Sequence, residues 1–159
     1  MTVLAEAQRV HGTTIAFGNR AILLRGKPGS GKSSLALMLM EASGNGLGPI
    51  QLTARLVADD QTLLTLRSGK LLATAPSNLQ GLLEVRGVGI MPVDHVPEAE
   101  LALVADLVST AEISRLPEPA EATTELLGMV FPRIFLDATL PQTAARLRMA
   151  FLHHVLPPS

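Results

Sequence analysis

Between the apolar run Ala21-Ile22-Leu23-Leu24 and a second apolar stretch opening at Leu35 stand eight residues, Gly26-Lys27-Pro28-Gly29-Ser30-Gly31-Lys32-Ser33. They fill every fixed position of G-x-x-x-x-G-K-[ST]. A chain with this motif between a strand and a helix is confined to α/β architectures that bring loop, helix N-terminus and strand end together. Three glycines let successive backbone N–H groups turn inward as an anion cradle, the helix aims its partial positive N-terminus at the phosphates, and Lys32 adds a full charge. Ser33 is placed to ligate Mg²⁺. Gly26, Gly29, Ser30, Gly31, Lys32 and Ser33, with the adjoining Ser34, are the candidate residues for holding a nucleoside triphosphate.

The 159 residues suffice for one domain with its own core, and no linker or repeat divides them. A net charge of −1 and 3% aromatics, without Trp or Tyr, supply neither a basic face nor a stacking platform, so nucleic acid is not an expected partner. Without cysteine there can be no disulfide, thiolate metal site or thiol nucleophile. Met1 to Val10 carries Glu6 and Arg9 among small and polar residues and reads as neither signal peptide nor membrane span. The expectation is a soluble cytoplasmic protein without a membrane partner.

Thr13 to Phe17 and Arg20 to Arg25 are β-prone runs separated by Gly18-Asn19, which predicts a tight hairpin feeding the phosphate loop. The apolar helix after Ser33 closes at Ser43-Gly44, and residues 45–53 form a Gly/Pro-containing loop. Ala54 to Ala58 reads as a buried strand running into Asp59-Asp60, and Gln61 to Leu66 with Lys70 to Ala75 as a further hairpin. Leu82 to Arg86 and Val88 to Val93 are strand candidates broken by glycines. Glu100 to Ser109 is too apolar for periodicity to separate strand from helix, and Ala102 to Leu107 is taken as strand. Arg115 to Glu125 reads as irregular, and Arg133 to Asp137 as a last strand. Thr139 and Gln142 have capping-box spacing at the head of a helix bearing Leu140, Ala144, Leu147, Phe151 and Val155.

Phosphoryl transfer needs a phosphate clamp, a metal site and a group to orient or deprotonate the acceptor. Asp59-Asp60, at the end of an apolar strand, is the natural second element beside the loop. Neighbouring residues on a strand point to opposite faces, so Asp59 is expected toward the metal or its waters and Asp60 toward the acceptor as base. Glu84 and Arg86 would share a strand face, by themselves an ordinary ion pair. A solitary histidine such as His11 is more often a surface or core residue than a catalytic one, and a lone Arg115 beside prolines is usually a solvated loop residue. Asp94-His95 and His153-His154 lack partners at metal-ligand spacing and read as surface. No Asn-Lys-x-Asp and no Leu-Ser-Gly-Gly occurs, which disfavours a GTPase or a transport ATPase.

Four blocks then stand in a telling order: His11-Gly12, Gly26 to Ser33, Leu56 to Asp60, and Leu83 to Ile90, with weaker matches at Ser114-Arg115-Leu116 and Gly128 to Ile134. Their combination resembles the catalytic domain of the bacterial HPr kinase/phosphorylase family. The resemblance implies an α/β phosphate-loop kinase core related to phosphoenolpyruvate carboxykinase, a mixed sheet with flanking helices, spanning residues 1–159 as a single domain. It implies an ATP- and Mg²⁺-dependent kinase for a serine of an HPr-like phosphocarrier. Carried over by position, Lys32 contacts the β/γ-phosphates, Ser33 and Glu84 bind Mg²⁺, Asp60 takes the seryl proton, and His11 and Arg115 occupy active-site positions. The resemblance is to the short form of alphaproteobacteria, which has only the C-terminal catalytic domain, and it implies a hexamer. The chain departs from the family at Ser34, where glutamate is common, and in a longer span from Lys32 to Asp59. It departs again at Ala138-Thr139-Leu140-Pro141-Gln142, which replaces a Pro-Gly-Arg-Asn-like stretch associated with dephosphorylation and argues against phosphorylase activity. A non-catalytic ATP-binding sensor is the competing class, and a small-molecule kinase a weaker third.

Overall fold

The computed structural model describes residues 6–156. Eleven strands and two helices follow one another among them: β1 (Ala7–His11), β2 (Thr13–Phe17), β3 (Arg20–Arg25), α1 (Lys32–Glu41), β4 (Ala54–Ala58), β5 (Gln61–Arg67), β6 (Lys70–Thr74), β7 (Leu82–Val85), β8 (Gly89–Pro92), β9 (Ala99–Leu107), β10 (Thr123–Leu126), β11 (Met129–Leu136) and α2 (Thr143–His154). Nine strands make one mixed sheet in the order β1-β5-β6-β9-β3-β2-β4, with β11 also on β9 and β10 on β11, while β7 and β8 form a separate hairpin.

The hairpin predicted before the loop is present: β2 and β3 pair antiparallel from Thr13↔Leu24 to Phe17↔Arg20. The other edge of β3 runs parallel to β9, whose far edge takes β6 antiparallel near its start and β11 parallel near its end. The strand entering the loop is therefore central and buried on both faces, which is why its sequence is a continuous apolar run. Ile22 and Leu24 face one core with Leu35, Leu39, Leu147 and Phe151 of the helices. Ala21 and Leu23 face a second core with Val57, Leu64, Leu71 and Phe131, where the sheet curls over itself. A register shift between Ala21 and Ile22 leaves Ala102 unpaired against β3, so Leu101 and Leu103 turn to opposite cores.

Three expectations change. The segment before Gly12 was given no strand, yet Ala7–His11 pairs with β5. Residues 115–125 are irregular only to Ala122, because Thr123–Leu126 and Met129–Leu136 form a hairpin and the last strand begins earlier than Arg133. The capping box is not made: the Thr139 N–H and hydroxyl both donate to Asp137 Oδ1, at 3.0 and 2.6 Å, and the helix starts at Thr143. Thr139 is thus turned to Asp137, just past the end of β11, and the N-cap position falls on Gln142, which makes no side-chain cap.

Among the described residues no helix is long and apolar enough to cross a membrane.

Candidate active site

β3 ends at Arg25 and the loop turns back over it with Gly29 at φ +82° and Gly31 at φ +100°, in the left-handed region where a Cβ is strained. A Cβ on Gly31 would also lie 2.7 Å from that of Ala138, so glycine is required there on two grounds. Ser30 N–H donates to the Lys27 carbonyl (3.0 Å), and Leu35 N–H to that of Gly31 (2.8 Å), which starts α1. Lys32, almost wholly buried, lays its ammonium on the carbonyls of Gly26 (2.8 Å) and Lys27 (3.2 Å). The Ser30 hydroxyl is buried without a partner among the described residues.

Asp59 and Asp60 link β4 directly to β5 and part company at once. Asp59 turns inward, where its Oδ1 accepts from the hydroxyls of Ser33 (2.6 Å) and Thr13 (3.0 Å) and its Oδ2 from the N–H of Glu84 (2.9 Å). Asp60 turns outward, its Oδ1 3.1 Å from His11 Nε2. The divergence is as expected but its cause is not strand alternation, since both lie past the strand end. Asp60 adopts φ +65°, a conformation that aspartate tolerates better than most residues. It is held there by Gly12 N–H on its carbonyl (2.8 Å) and by the Thr13 hydroxyl accepting from its own N–H (3.1 Å). Leu47, Ser68 and Leu127 also adopt positive φ, and of these four non-glycine residues Asp60 alone lines the cleft.

His11, Gly29, Gly31, Lys32, Ser33, Ser34, Asp60 and Glu84 all line one cavity of about 660 Å³, closed on its far side by Arg86 and the Gly87 to Ile90 turn of the β7–β8 hairpin. Glu84 and Arg86 both face this cavity, with no ion pair between them among the described residues. Gly26, Ser30 and Asp59 lie behind its wall: Gly26 where a side chain would strike the Ser30 hydroxyl and the Leu107 carbonyl, Asp59 reaching the cavity through Ser33. Arg115 is not brought to this cleft. It lines a second cavity with Arg146, His153 and His154, so the two histidines read as plain surface also border a depression.

The residue that sequence reasoning missed is Thr13. Wholly buried, it bonds to both acids, and the neighbouring Thr14 donates to the Thr62 hydroxyl (2.8 Å), which donates to the Gly12 carbonyl (3.0 Å). The only sequence signal was two threonines after His11-Gly12 in a run otherwise read as ordinary strand.

The oxygen donors suit a hard cation. The Ser33 hydrogen is engaged by Asp59, which leaves its oxygen lone pairs free, and Glu84 offers a carboxylate from across the cleft. Two oxygen donors from the protein fit an ion that keeps waters and phosphate oxygens in its shell.

A family model described as the HPr Serine kinase C-terminal domain matches residues 2–136. The chain belongs to that family. Curated proteins named HPr kinase/phosphorylase are similar to it: that of Bordetella pertussis is 30% identical over 164 residues, spanning 96% of this chain and 50% of its own length. That of Xylella fastidiosa is 38% identical over 95 residues, 59% of this chain and 27% of its own. The chain thus spans half or less of these relatives. The HPr(Ser) kinase/phosphatase structure from Coxiella burnetii superposes with a TM-score of 0.73 at 24% identity, covering 92% of this chain and 88% of that one. The HPr kinase C-terminal fold, a mixed α/β phosphate-loop core, is the fold seen here, and the family match ends at Leu136, before α2.

Proposed function

We propose that this chain is an ATP-dependent kinase that phosphorylates a serine on an HPr-like phosphocarrier. The observation that carries the reading is the His11–Asp60 pair, 3.1 Å apart, facing Lys32, Ser33 and Glu84 across one cavity. Lys32 has a third N–H beyond the two on loop carbonyls and exchanges those carbonyls for β/γ-phosphate oxygens when ATP enters. Ser33 and Glu84, with Asp59 behind Ser33, would hold Mg²⁺, which supplies charge neutralisation across the phosphates. The Asp60 carboxylate takes the seryl proton as the seryl oxygen bonds to the γ-phosphorus, the bond from that phosphorus to the β-phosphate oxygen breaks, and ADP departs. His11 orients Asp60. Arg115 has no role in this reading, since it lines another cavity. The kinase direction is favoured over phosphorylase because Ala138 to Gln142 replaces the stretch that the resemblance associates with dephosphorylation. The family description names HPr, which supports HPr as the acceptor; the cytoplasmic hexamer of single catalytic domains rests on the resemblance alone.

The test is incubation with Mg·ATP and HPr-like carriers from the same genome, with phosphate located by mass spectrometry. Phosphoserine is expected, lost in Lys32→Ala and reduced about 10²–10⁴-fold in Asp60→Asn with ATP binding retained. Full transfer by Asp60→Asn would overturn the base assignment. ATP binding without any phosphoprotein would instead favour a nucleotide sensor.

A further inference from the structure

The second cavity, of about 760 Å³, lies between α2, β11 and the segment that follows β9. Its size falls within the range of about 300–1,000 Å³ typical of small-molecule sites. Ile113, Ile134, Phe135 and Ala150 give it an apolar floor, and basic groups from separate elements stand over that floor. Arg133 is answered from within: its Nε donates to the Glu121 carbonyl (2.8 Å), its Nη1 lies 3.7 Å from Asp106, and its guanidinium stacks 4.9 Å over the Phe135 ring. Arg115 and Arg146 are different. Both are exposed, and among the described residues neither has an ion pair or a side-chain hydrogen bond. His153 and His154 add imidazoles at the end of α2, against a single lining carboxylate, Glu121, already engaged by the Ser114 hydroxyl (3.3 Å).

Two free guanidiniums above an apolar floor match an anionic head joined to an apolar body, because guanidinium recognises carboxylate and phosphate bidentately while the floor gains only from apolar contact. We propose that this cavity binds an amphipathic organic anion, its carboxylate or phosphate held by Arg115 and Arg146 and its apolar body seated on Ile113, Ile134, Phe135 and Ala150. The site is separate from the phosphate-loop cleft, whose lining shares no residue with it.

Isothermal titration of the whole chain with decanoate and with decyl phosphate tests this, using decanol as the probe without charge and inorganic phosphate as the probe without a body. One-to-one binding of at least one amphipathic anion is expected, and the tighter of the two identifies the preferred head. Decanol and inorganic phosphate should each bind at least tenfold more weakly. Arg115→Ala and Arg146→Ala should each weaken the anion about tenfold, the loss of one charge-assisted contact. Arg146→Glu should abolish anion binding while leaving decanol unchanged, and Lys32→Ala should leave the anion's affinity unchanged. Failure of both amphipathic anions to bind, equal affinity for inorganic phosphate, indifference to both arginine substitutions, or loss of binding in Lys32→Ala would each overturn the assignment.

Discussion

Replacing Thr13 with valine keeps the shape of a wholly buried side chain and removes one hydroxyl that serves both acids. Two losses follow. Asp59 loses one of three donors, a hydrogen bond to a charged group worth about 1.5–3 kcal/mol. The Asp60 N–H loses its acceptor, which costs about 1–3 kcal/mol if fully shielded, but Asp60 is exposed and water can replace part of it. The sum is about 3 kcal/mol, or about 6–12 °C of melting temperature for a domain of this size. Thr13→Ser retains both bonds and removes one buried methyl, about 0.8 kcal/mol. Urea unfolding of the two variants beside the parent measures the difference. Since Asp59 also holds Ser33 and the Glu84 backbone, Thr13→Val should weaken Mg·ATP-dependent turnover and Thr13→Ser should restore it. A valine variant within 1 kcal/mol of the parent, or a serine variant as damaged as valine, would refute the account.

Gly31→Ala places a Cβ 2.7 Å from Ala138 at φ +100°, so we expect a loss of at least about 1–2 kcal/mol from backbone strain and weaker ATP binding, read by thermal unfolding and nucleotide titration. Arg148 is buried and bonds to the Leu39 and Ala42 carbonyls that end α1, while burial pushes its pKa down. Arg148→Ala should cost about 2–4 kcal/mol by chemical denaturation, orphaning those carbonyls and emptying packed volume. His154 is held below the ordinary histidine value by desolvation and then by the charge of His153. The unfolded chain therefore takes up a proton that the folded chain resists, so stability falls as pH drops through the ordinary histidine range and the penalty vanishes above it. His154→Gln should flatten the stability profile between about pH 7 and 5. Asp137 acts in a lower window: hydroxyls of Thr110 and Thr139 hold its carboxyl well below the usual range, so its contribution is present above that range and lost on acidification.

The elements legible in the sequence were those whose residues are buried on both faces or follow a turn signal. Arg20–Arg25 and Ala54–Ala58 are of the first kind, and the Gly18-Asn19 and Ser68-Gly69 turns of the second. β1 was illegible because no residue of Ala7–His11 is buried, so no apolar alternation marks it, and its partner lies some fifty residues away on β5. β11 was shortened because Pro132 reads as a strand breaker, whereas here it pairs with Thr123 of the outer strand β10. In the site, the motif residues and Asp60 came together as read, since local turn chemistry places the loop and a strand end places the acids. Arg115 did not, because its position depends on where an irregular segment leaves the sheet, which no periodicity encodes. Thr13 escaped notice because a buried hydroxyl is defined by partners 46 and 47 residues distant.

Among the described residues β1 is an outer strand, hydrogen-bonded on one edge only, with every side chain exposed or half-exposed. Outer strands of this kind open at lower free energy than the sheet they border. His11 rides on that strand, while the backbone of the exposed Asp60 is held on both its carbonyl and its N–H by Gly12 and Thr13. The pair they form consequently has a stability of its own, smaller than that of the whole fold. Amide exchange across Ala7–His11 should outpace that of β3 and β9, and mild denaturant should extinguish turnover before it unfolds the chain. On the proposed reading of the His11–Asp60 pair, competence and foldedness would be two separate equilibria, and fraying of five residues would lose the first while keeping the second.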